Sequence, residues 1–377
     1  MNTFLSSLQT ELFEDYKRFL ASEIEPRVED LENDPDKVKS VFESLGQKGF
    51  LGTSVAKEYG GCGEPFIHTA LLIQALGQID AGLAMSVASH LTAAELIQKF
   101  GTDTQKSRYL PLLARGECIA TVAATEEGAG SDYMGIAARV DKESSLTAEK
   151  TWVVNGDVAE LAVVTARGEE SPLGLWLVDL SQVKDAVKVS ANIKKLGLAG
   201  ARTNNISFKN LKLDDASRLG GVEGPASQEE ALLHGMDFIK VLAAAAAVGL
   251  TDMALAHSVD RARSREQFGS AIGKLQAIQW KLADMSSESC GARLLTYRAA
   301  WSKDEEPTEF RKNAAMCKYY AARVAQVHSA EAVQIFGAAG LSCDLPMEKL
   351  YRDAKVMEIA EGTAEIQKNI VAHEIGS

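Results

Sequence analysis

Apolar side chains recur at helical spacing through the first third of the chain. In the first such segment they lie four residues apart, on one face of a helix: Leu8, Leu12, Tyr16 and Leu20. Gly101 followed by Thr102 is typical of a helix end and the N-cap of the next helix, with Gln105 placed to complete the cap. The pattern therefore predicts a helical region from Leu5 to about Leu113.

The pattern changes to short β-prone segments after Cys118. Six such segments follow one another, at residues 118–125, 152–154, 161–166, 175–178, 187–189 and 205–208. Turn sequences separate them, among them Asn155-Gly156 and Ser171-Pro172. Because no helical run of about ten residues intervenes, an antiparallel sheet or barrel is favoured over repeated strand–helix–strand units.

Helical periodicity returns at about Glu229 and lasts to the end of the chain. The run from Leu242 to Leu250 presents small residues that allow close helix packing, and amphipathic runs follow at residues 271–287 and 313–336. These segments predict a four-helix bundle. The chain is then mostly α with a central β domain: an N-terminal α-helical domain at residues 1–117, a small antiparallel β-barrel domain at 118–228 and a C-terminal four-helix bundle at 229–377.

The composition argues against several function classes. A net charge of −12 with only scattered basic residues disfavours nucleic-acid binding. We find neither an N-terminal apolar signal region nor an uninterrupted apolar run of about 18 residues, and expect a cytoplasmic protein without a membrane span. The five cysteines are far apart and the histidines lack metal-binding spacing, so we expect neither disulfides nor a metal site. Redox or acid–base chemistry would then come from carboxylates or a bound organic cofactor.

The segment Glu361-Gly362-Thr363 places a carboxylate next to a glycine near the C-terminus. Glycine permits positive φ and close approach of a ligand, and the threonine hydroxyl can hydrogen-bond a bound group. A helix that ends in Glu-Gly is common, so this tripeptide alone does not identify a catalytic base. Whether Glu361 is a catalytic base must therefore be judged from the motifs that precede this tripeptide.

Five motifs follow one another along the chain. They are residues 125–132 (TEEGAGSD), 150–156 (KTWVVNG), 265–269 (REQFG), 334–337 (QIFG) and 361–363 (EGT). In this order and spacing the chain resembles the acyl-CoA dehydrogenase family over essentially its whole length. The resemblance implies FAD as cofactor, although the chain has no Gly-x-Gly-x-x-Gly dinucleotide fingerprint. It also implies an acyl thioester substrate.

One group of cofactor-binding residues follows from the resemblance: Thr125, Gly130, Ser131, Trp152, Val154, Thr363 and Glu365. The first three match a loop along the flavin and the substrate, where small residues permit close approach. Trp152 matches an indole that packs beside the isoalloxazine ring. A tryptophan in the barrel core is the alternative for this residue.

A second group would grip the FAD of a neighbouring subunit, which implies a homodimer or homotetramer. Its members are Arg265, Gln267, Phe268, Gln334 and Gly337. The planar guanidinium of Arg265 suits a diphosphate because it can form two charge-assisted hydrogen bonds. An exposed arginine at a helix end is the alternative.

The resemblance makes Glu361 the catalytic base. Desaturation of an acyl thioester removes a proton from Cα while hydride passes from Cβ to flavin N5, and the electrons then pass to an electron-transferring flavoprotein. The thioester carbonyl would be polarised by a flavin hydroxyl and by the backbone N–H of the base. A dry pocket would raise the pKa of the Glu361 carboxyl and make it a stronger base. Some relatives carry the base on another helix, where this chain has the inert Ile239.

The resemblance also gives four substrate-binding positions: Ser131, Asp237, Lys240 and Gly362. The chain departs from the family pattern at Val154, where a threonine hydroxyl usually donates to flavin N5, and at Lys240, where an arginine is usual. Ala199 stands for a common arginine and Ala338 for a second glycine after Gly337. Because the usual basic contacts are altered, CoA and an acyl carrier protein both remain possible carriers of the acyl group.

Two alternatives stay open beside a dehydrogenase of fatty acid metabolism. An acyl-CoA oxidase would use O₂ as the electron acceptor, but oxidases of this kind are often longer than this chain. A flavin-binding homologue without dehydrogenase activity is the other alternative, and Val154 and Lys240 are its motivation.

Overall fold

The computed structural model describes residues 5–168, 173–183, 185–221 and 228–376. Its first helices are α1 (Ser7–Phe19), α2 (Pro35–Gln47), α3 (Phe66–Gly77), α4 (Ala81–Phe100) and α5 (Asp103–Ala114). The strands that follow are β1 (Ala120–Ala123), β2 (Arg139–Val140), β3 (Ser145–Val154), β4 (Leu161–Ala166), β5 (Gly174–Asp179), β6 (Val187–Val189) and β7 (Thr203–Lys212).

The C-terminal part begins with the long helix α6 (Gln228–Ser264) and a hairpin of β8 (Glu266–Gln267) and β9 (Ser270–Ala271). It ends with α7 (Gln276–Glu305), α8 (Pro307–Phe336), α9 (Met347–Ile359) and α10 (Ala364–Glu374). The order of helices, a small central β region and helices again confirms the predicted fold class. The turn predicted at Ser171-Pro172 lies outside the described residues.

The predicted cap at the start of α5 is confirmed. The Gln105 N–H donates to the Thr102 hydroxyl at 3.2 Å, and the Thr102 N–H donates to the Gln105 side chain at 3.0 Å. The amide group of Gln105 also donates to the carbonyls of Ala216 and Arg218, at 2.8 and 2.7 Å. This capping box therefore satisfies the helix start and ties the N-terminal helices to the β region as well.

The strands of the central β region form two sheets, β1-β4-β5 and β2-β3-β7-β6. All of their pairs are antiparallel as predicted, except that β1 pairs with β4 in parallel. The prediction was wrong for that pair because it assumed that a parallel connection needs a helix. Here the chain between β1 and β4 passes through β2 and β3 of the other sheet, which gives the long crossover that parallel strands require.

Small residues on α3 and α6 bring the two helices into close contact, as the run after Leu242 predicted. A Cβ atom at Gly249 would lie 2.2 Å from the Gln74 carbonyl oxygen, and one at Gly77 would lie 2.5 Å from the Ala246 carbonyl oxygen. A window of α6 is long and apolar enough to cross a membrane, with mean hydropathy 1.7, but 83% of that window is buried inside the protein. This helix is the apolar centre of the molecule.

The amphipathic runs predicted for the C-terminal region are helical, with shifted starts. Residues 270–271 belong to a hairpin strand and residues 272–274 to a 3₁₀ turn, so α7 begins only at Gln276. Helix α8 begins at Pro307, earlier than residue 313, because proline is favoured in the first helical turn.

A buried charge cluster joins the three parts of the chain. The Lys349 ammonium of α9 lies 2.8 Å from the Asp80 carboxylate, which caps α4, and 2.5 Å from Asp353. Asp353 in turn accepts the N–H of Leu198, from the loop before β7, at 2.5 Å. Both carboxylates are buried, and burial raises the pKa of Asp353 despite the opposing effect of Lys349. The lysine therefore compensates two carboxylates that solvent cannot reach.

Replacing Lys349 with methionine is expected to lower the free energy of unfolding by about 3 kcal/mol at neutral pH, because it leaves two buried carboxylates without a cation. The loss should shrink as the pH falls, since protonated carboxyls carry no charge to bury. Thermal unfolding between pH 5 and pH 8 measures this, with Lys188→Met on the exposed side of β6 as the matched control. A loss independent of pH would show that packing, not charge, is responsible.

Candidate active site

The joint between α9 and α10 carries the predicted base in a left-handed backbone conformation. Glu361 has φ 57° and Gly362 has φ 92°. A residue other than glycine in this region costs about 1 kcal/mol, so the surrounding structure must hold Glu361 there. The sequence predicted positive φ for the glycine alone, and the structure extends it to the glutamate.

Two buried side chains hold this joint by its carbonyl groups. Lys318 of α8 donates to the carbonyls of Gly362 at 2.5 Å and Glu358 at 3.2 Å. Gln367 of α10 donates to the carbonyls of Glu361 at 3.2 Å and Gly362 at 3.1 Å. A Cβ atom at Gly362 would lie 2.5 Å from the Gln367 amide nitrogen, so a larger residue would displace the Gln367 side chain from these hydrogen bonds, and the φ of 92° itself favours glycine.

Burial raises the pKa of the Glu361 carboxyl, and the nearby ammonium groups of Lys318 and Lys240 offset part of that rise. This is the direction predicted for a base in a dry pocket. Lys240 is buried and donates to Asp237 at 2.7 Å. The structure thus groups Glu361 and Gly362 with the predicted substrate residues Asp237 and Lys240. The neighbouring Ile239 is buried and apolar.

Thr363 and Glu365 start helix α10. Thr363 is its N-cap and accepts the Ile366 N–H at 3.5 Å, so the hydroxyl is engaged by its own helix. A backbone hydrogen bond at the helix start, together with the Thr363 side chain, lowers the pKa of the exposed Glu365. Both predicted cofactor residues lie next to Glu361 in the chain.

The loop of residues 125–131 is anchored by a buried lysine. Lys150 is 1% exposed and donates to three acceptors: the Ala124 carbonyl at 3.1 Å, the Glu126 carboxylate at 2.8 Å and the Thr165 hydroxyl at 2.9 Å. The Thr151 N–H donates to the Thr125 carbonyl at 2.9 Å. Gly130 and Ser131 are exposed, and a Cβ atom at Gly130 would meet nothing within 4 Å. The loop therefore presents an open backbone beside β3.

A β-bulge turns Trp152 out of the sheet. The antiparallel register of β3 with β7 shifts between Lys150 and Val153, and Trp152 lies in this shift with φ 57°. Such bulges redirect a side chain. The indole is 56% exposed, which excludes the alternative of a tryptophan in the β core. A large exposed ring beside the open loop is suited to stack on a planar ligand.

Hydrogen bonds fix the backbone that follows Trp152. The Val154 carbonyl accepts the Thr121 hydroxyl at 2.5 Å. The buried Asn155, with φ 63°, accepts the Ser86 hydroxyl at 2.5 Å and donates to the Ser86 carbonyl at 2.9 Å. The end of β3 is therefore tied both to β1 of the other sheet and to α4.

The second group of predicted cofactor residues lies around a cavity of about 450 Å³ at the end of α6. Arg265, Gln267 and Gly337 line it, whereas Phe268 and Gln334 do not. Gly337 has φ 63° and a Cβ atom there would meet nothing within 4 Å, so its conformation rather than its size requires glycine. Glu361 and Trp152 are not among the lining residues.

The remaining two members of this group face outward. Phe268 is 94% exposed, with φ 54°, at the turn of the β8–β9 hairpin, and Gln334 is exposed near the end of α8. Exposure of so large a ring in a single chain is what the predicted contact with a neighbouring subunit requires.

Sequence reasoning missed Arg261, which also lines this cavity. Its guanidinium lies 5.2 Å from the centre of the Phe336 ring, and its buried Nε has no hydrogen-bond partner among the described residues. The available signal was its spacing, since Arg261 precedes Arg265 by one helical turn. Two guanidinium groups with an unsatisfied donor indicate a site for an anion. The departure Ala338 lines the same cavity.

Comparisons with known proteins match this arrangement over the whole chain. Models of the acyl-CoA dehydrogenase N-terminal, middle and C-terminal domains match residues 6–117, 121–211 and 230–376. The probable acyl-CoA dehydrogenase YngJ of Bacillus subtilis (strain 168) is 33% identical, and the match covers 100% of both chains.

Two solved structures show the same fold. An acyl-CoA dehydrogenase complexed with FAD from Bacillus anthracis is 27% identical with a TM-score of 0.92, covering 99% of this chain and 67% of that chain. The prolyl acyl carrier protein oxidase AnaB is 30% identical with a TM-score of 0.89, covering 99% of this chain and 100% of that chain.

Replacing Glu361 with glycine is expected to stabilise the protein at alkaline pH. The change removes the left-handed strain, about 1 kcal/mol, and a buried carboxylate. Burial lowers the pKa of Lys318 to about 8, so at pH 9 this lysine no longer offsets the charge of the carboxylate, whereas at pH 6 it carries its charge and the gain is smaller.

The measurement is the thermal unfolding midpoint of Glu361→Gly and wild type at pH 6 and pH 9. Ser144→Gly is the matched control, because Ser144 has φ 56° without a buried charge and should gain the same amount at both pH values. Equal gains for the two variants would show that the buried carboxylate costs no stability.

Proposed function

The chain belongs to the acyl-CoA dehydrogenase family, a class of oxidoreductases, and from this premise we propose that it uses FAD to desaturate acyl thioesters at the α,β bond. The observation that carries the proposal is Glu361, a carboxylate with a raised pKa, held on a left-handed joint and influenced by two buried lysines. Such a group is suited to remove a weakly acidic proton.

The residues present fit FAD. Trp152 offers an exposed ring face beside the open backbone of Gly130 and Ser131. The unsatisfied donor of Arg261, one turn from Arg265, fits the charge of a diphosphate. Since the cavity of these arginines does not include Trp152, one chain would hold the ring of its own FAD and the phosphates of a neighbour's, as a homodimer or homotetramer requires.

Glu361 would take the proton from the substrate Cα, with its raised pKa giving it more basicity than an exposed carboxylate. Bound FAD supplies the hydride acceptor for the substrate Cβ. Among the described residues the Glu361 N–H has no hydrogen-bond acceptor, so it is free to donate to the thioester oxygen and stabilise the charge that develops there. The base and one oxyanion donor then belong to the same residue.

The acyl carrier and the electron acceptor belong to the same proposal. Ser131, Asp237 and Lys240 would contact the substrate, whose acyl group is carried by CoA or by an acyl carrier protein. We infer an electron-transferring flavoprotein as acceptor and a cytoplasmic location. A carrier-protein oxidase of the same length is a relative, so the shortness of this chain no longer argues against O₂ as acceptor. That relative is the observation that favours the oxidase alternative.

The purified protein is expected to be yellow, and a cognate acyl thioester should bleach its flavin band under anaerobic conditions. Glu361→Gln should keep the flavin and lose at least about a hundredfold in bleaching rate, because the amide cannot accept the proton. Stopped-flow absorbance with a panel of CoA and carrier-protein thioesters measures both. Bleaching by Glu361→Gln at the wild-type rate would refute Glu361 as the base. Bound flavin that no thioester reduces would favour the homologue without dehydrogenase activity.

Reoxidation of the reduced enzyme identifies its electron acceptor. Reduced enzyme that is reoxidised by an electron-transferring flavoprotein and only slowly by air supports the dehydrogenase. Stoichiometric peroxide, formed at the rate of turnover, would support the oxidase instead.

A further inference from the structure

Lys318 is a buried cation that the proposed chemistry does not yet use. Its side chain is 1% exposed on α8, and burial is the main reason why its pKa falls to about 8. A lysine with so little solvent contact is rare unless its ammonium is paired and hydrogen-bonded. Its partners therefore indicate what it does.

The hydrogen bonds of Lys318 span the residue proposed as the base. The Glu358 carbonyl belongs to the last turn of α9, where carbonyl groups lack a partner within the helix, and the Gly362 carbonyl lies directly after Glu361. One ammonium group thus fixes the chain on both sides of the left-handed residue. It also places a positive charge at the negative end of α9.

The charged groups around the Glu361 carboxyl come from every element packed on the joint. Lys318 of α8 and Lys240 of α6 both favour its ionised form. Lys240 is already paired with Asp237, and Glu358 of α9 and Glu365 of α10 act on Lys318. Arg311 of α8 lies 4.0 Å from Asp237 as well. Lys318 has no carboxylate within salt-bridge distance among the described residues. Unlike the charge of Lys240, its charge is therefore not neutralised by a direct ion pair.

We propose that Lys318 is a positioning residue for the base: it holds the left-handed joint in place, and its positive charge favours the ionised Glu361 carboxylate. This inference rests on the proposed function, because it assumes that Glu361 takes the proton. A lysine that only stabilises the fold would hold the same carbonyls without affecting the protonation of Glu361.

The decisive variant is Lys318→Met, which keeps most of the buried volume and removes the charge and the hydrogen bonds. Without the cation the carboxyl ionises at higher pH, so the acid side of the pH profile for flavin reduction should move to higher pH. At pH 7 the reduction rate should fall about 10- to 100-fold, since the base is both less ionised and less well placed. Bound flavin should stay unchanged.

Three further variants separate charge from packing. Lys318→Arg keeps the charge and should leave the acid side of the profile near its wild-type position. Lys318→Gln keeps a donor without charge and serves if the methionine variant does not fold. Lys355→Met is the matched control, because Lys355 is an exposed lysine of α9 paired with Glu358 at 2.7 Å, and its profile should not shift.

A spectroscopic measurement gives the protonation state independently of turnover. Infrared difference spectra between each protein and its Glu361→Gln version, recorded with flavin bound across a range of pH, report the protonated carboxyl of Glu361. The carboxyl band should persist to higher pH in Lys318→Met than in wild type. The Lys318→Arg protein should resemble wild type.

The outcomes distinguish the two proposals. A wild-type enzyme that no thioester reduces refutes the proposed function. A wild-type enzyme that is reduced, together with Lys318 variants that show an unshifted profile and carboxyl band, refutes the role of Lys318 and leaves the proposed function in place. A shift of both in Lys318→Met and Lys318→Gln, but not in Lys355→Met, supports it.

Discussion

The proposed chemistry depends on a carboxylate that stays available as a base inside the protein. A buried carboxylate is stable only when cations or hydrogen bonds compensate it, yet a strong salt bridge would weaken it as a base. In this chain the nearby lysines are hydrogen-bonded to acceptors other than the Glu361 carboxylate. Lys318 is committed to two backbone carbonyls and Lys240 to Asp237, so both favour the ionised Glu361 without closing on it. The pKa of Glu361 therefore remains raised.

The same arrangement of local strain and buried support recurs at the other candidate ligand contacts. Trp152 and Phe268 also have positive φ, and each presents an exposed ring. Strain of this kind persists only where neighbouring structure fixes it. Around Trp152 the support is visible, since Lys150 anchors the adjacent loop and Asn155 is bonded to α4. These contacts hold the ring in place before any ligand binds.

The sequence predicted the helices, most strands and the residues of the motifs, because helical spacing and short motifs are local properties. It could not predict the bulge at Trp152, which depends on how β3 registers with β7, or the parallel pairing of β1 with β4. The sequence did not single out Lys318 for a related reason. On an amphipathic helix a lysine is expected to face solvent, and only the joint more than forty residues later gives it buried partners.

The structure shows what one departure from the family pattern, Lys240, does to the surroundings of Glu361. Lys240 is buried, bonded to Asp237 and close enough to Glu361 to affect its ionisation, so lysine in place of the usual arginine alters the surroundings of the proposed base as well as the proposed substrate contact. A lysine ammonium is a compact charge, whereas a guanidinium presents a planar fork of donors. Because Lys240 is bonded to Asp237, the proposal assigns the support of the ionised Glu361 chiefly to Lys318, from the neighbouring helix α8.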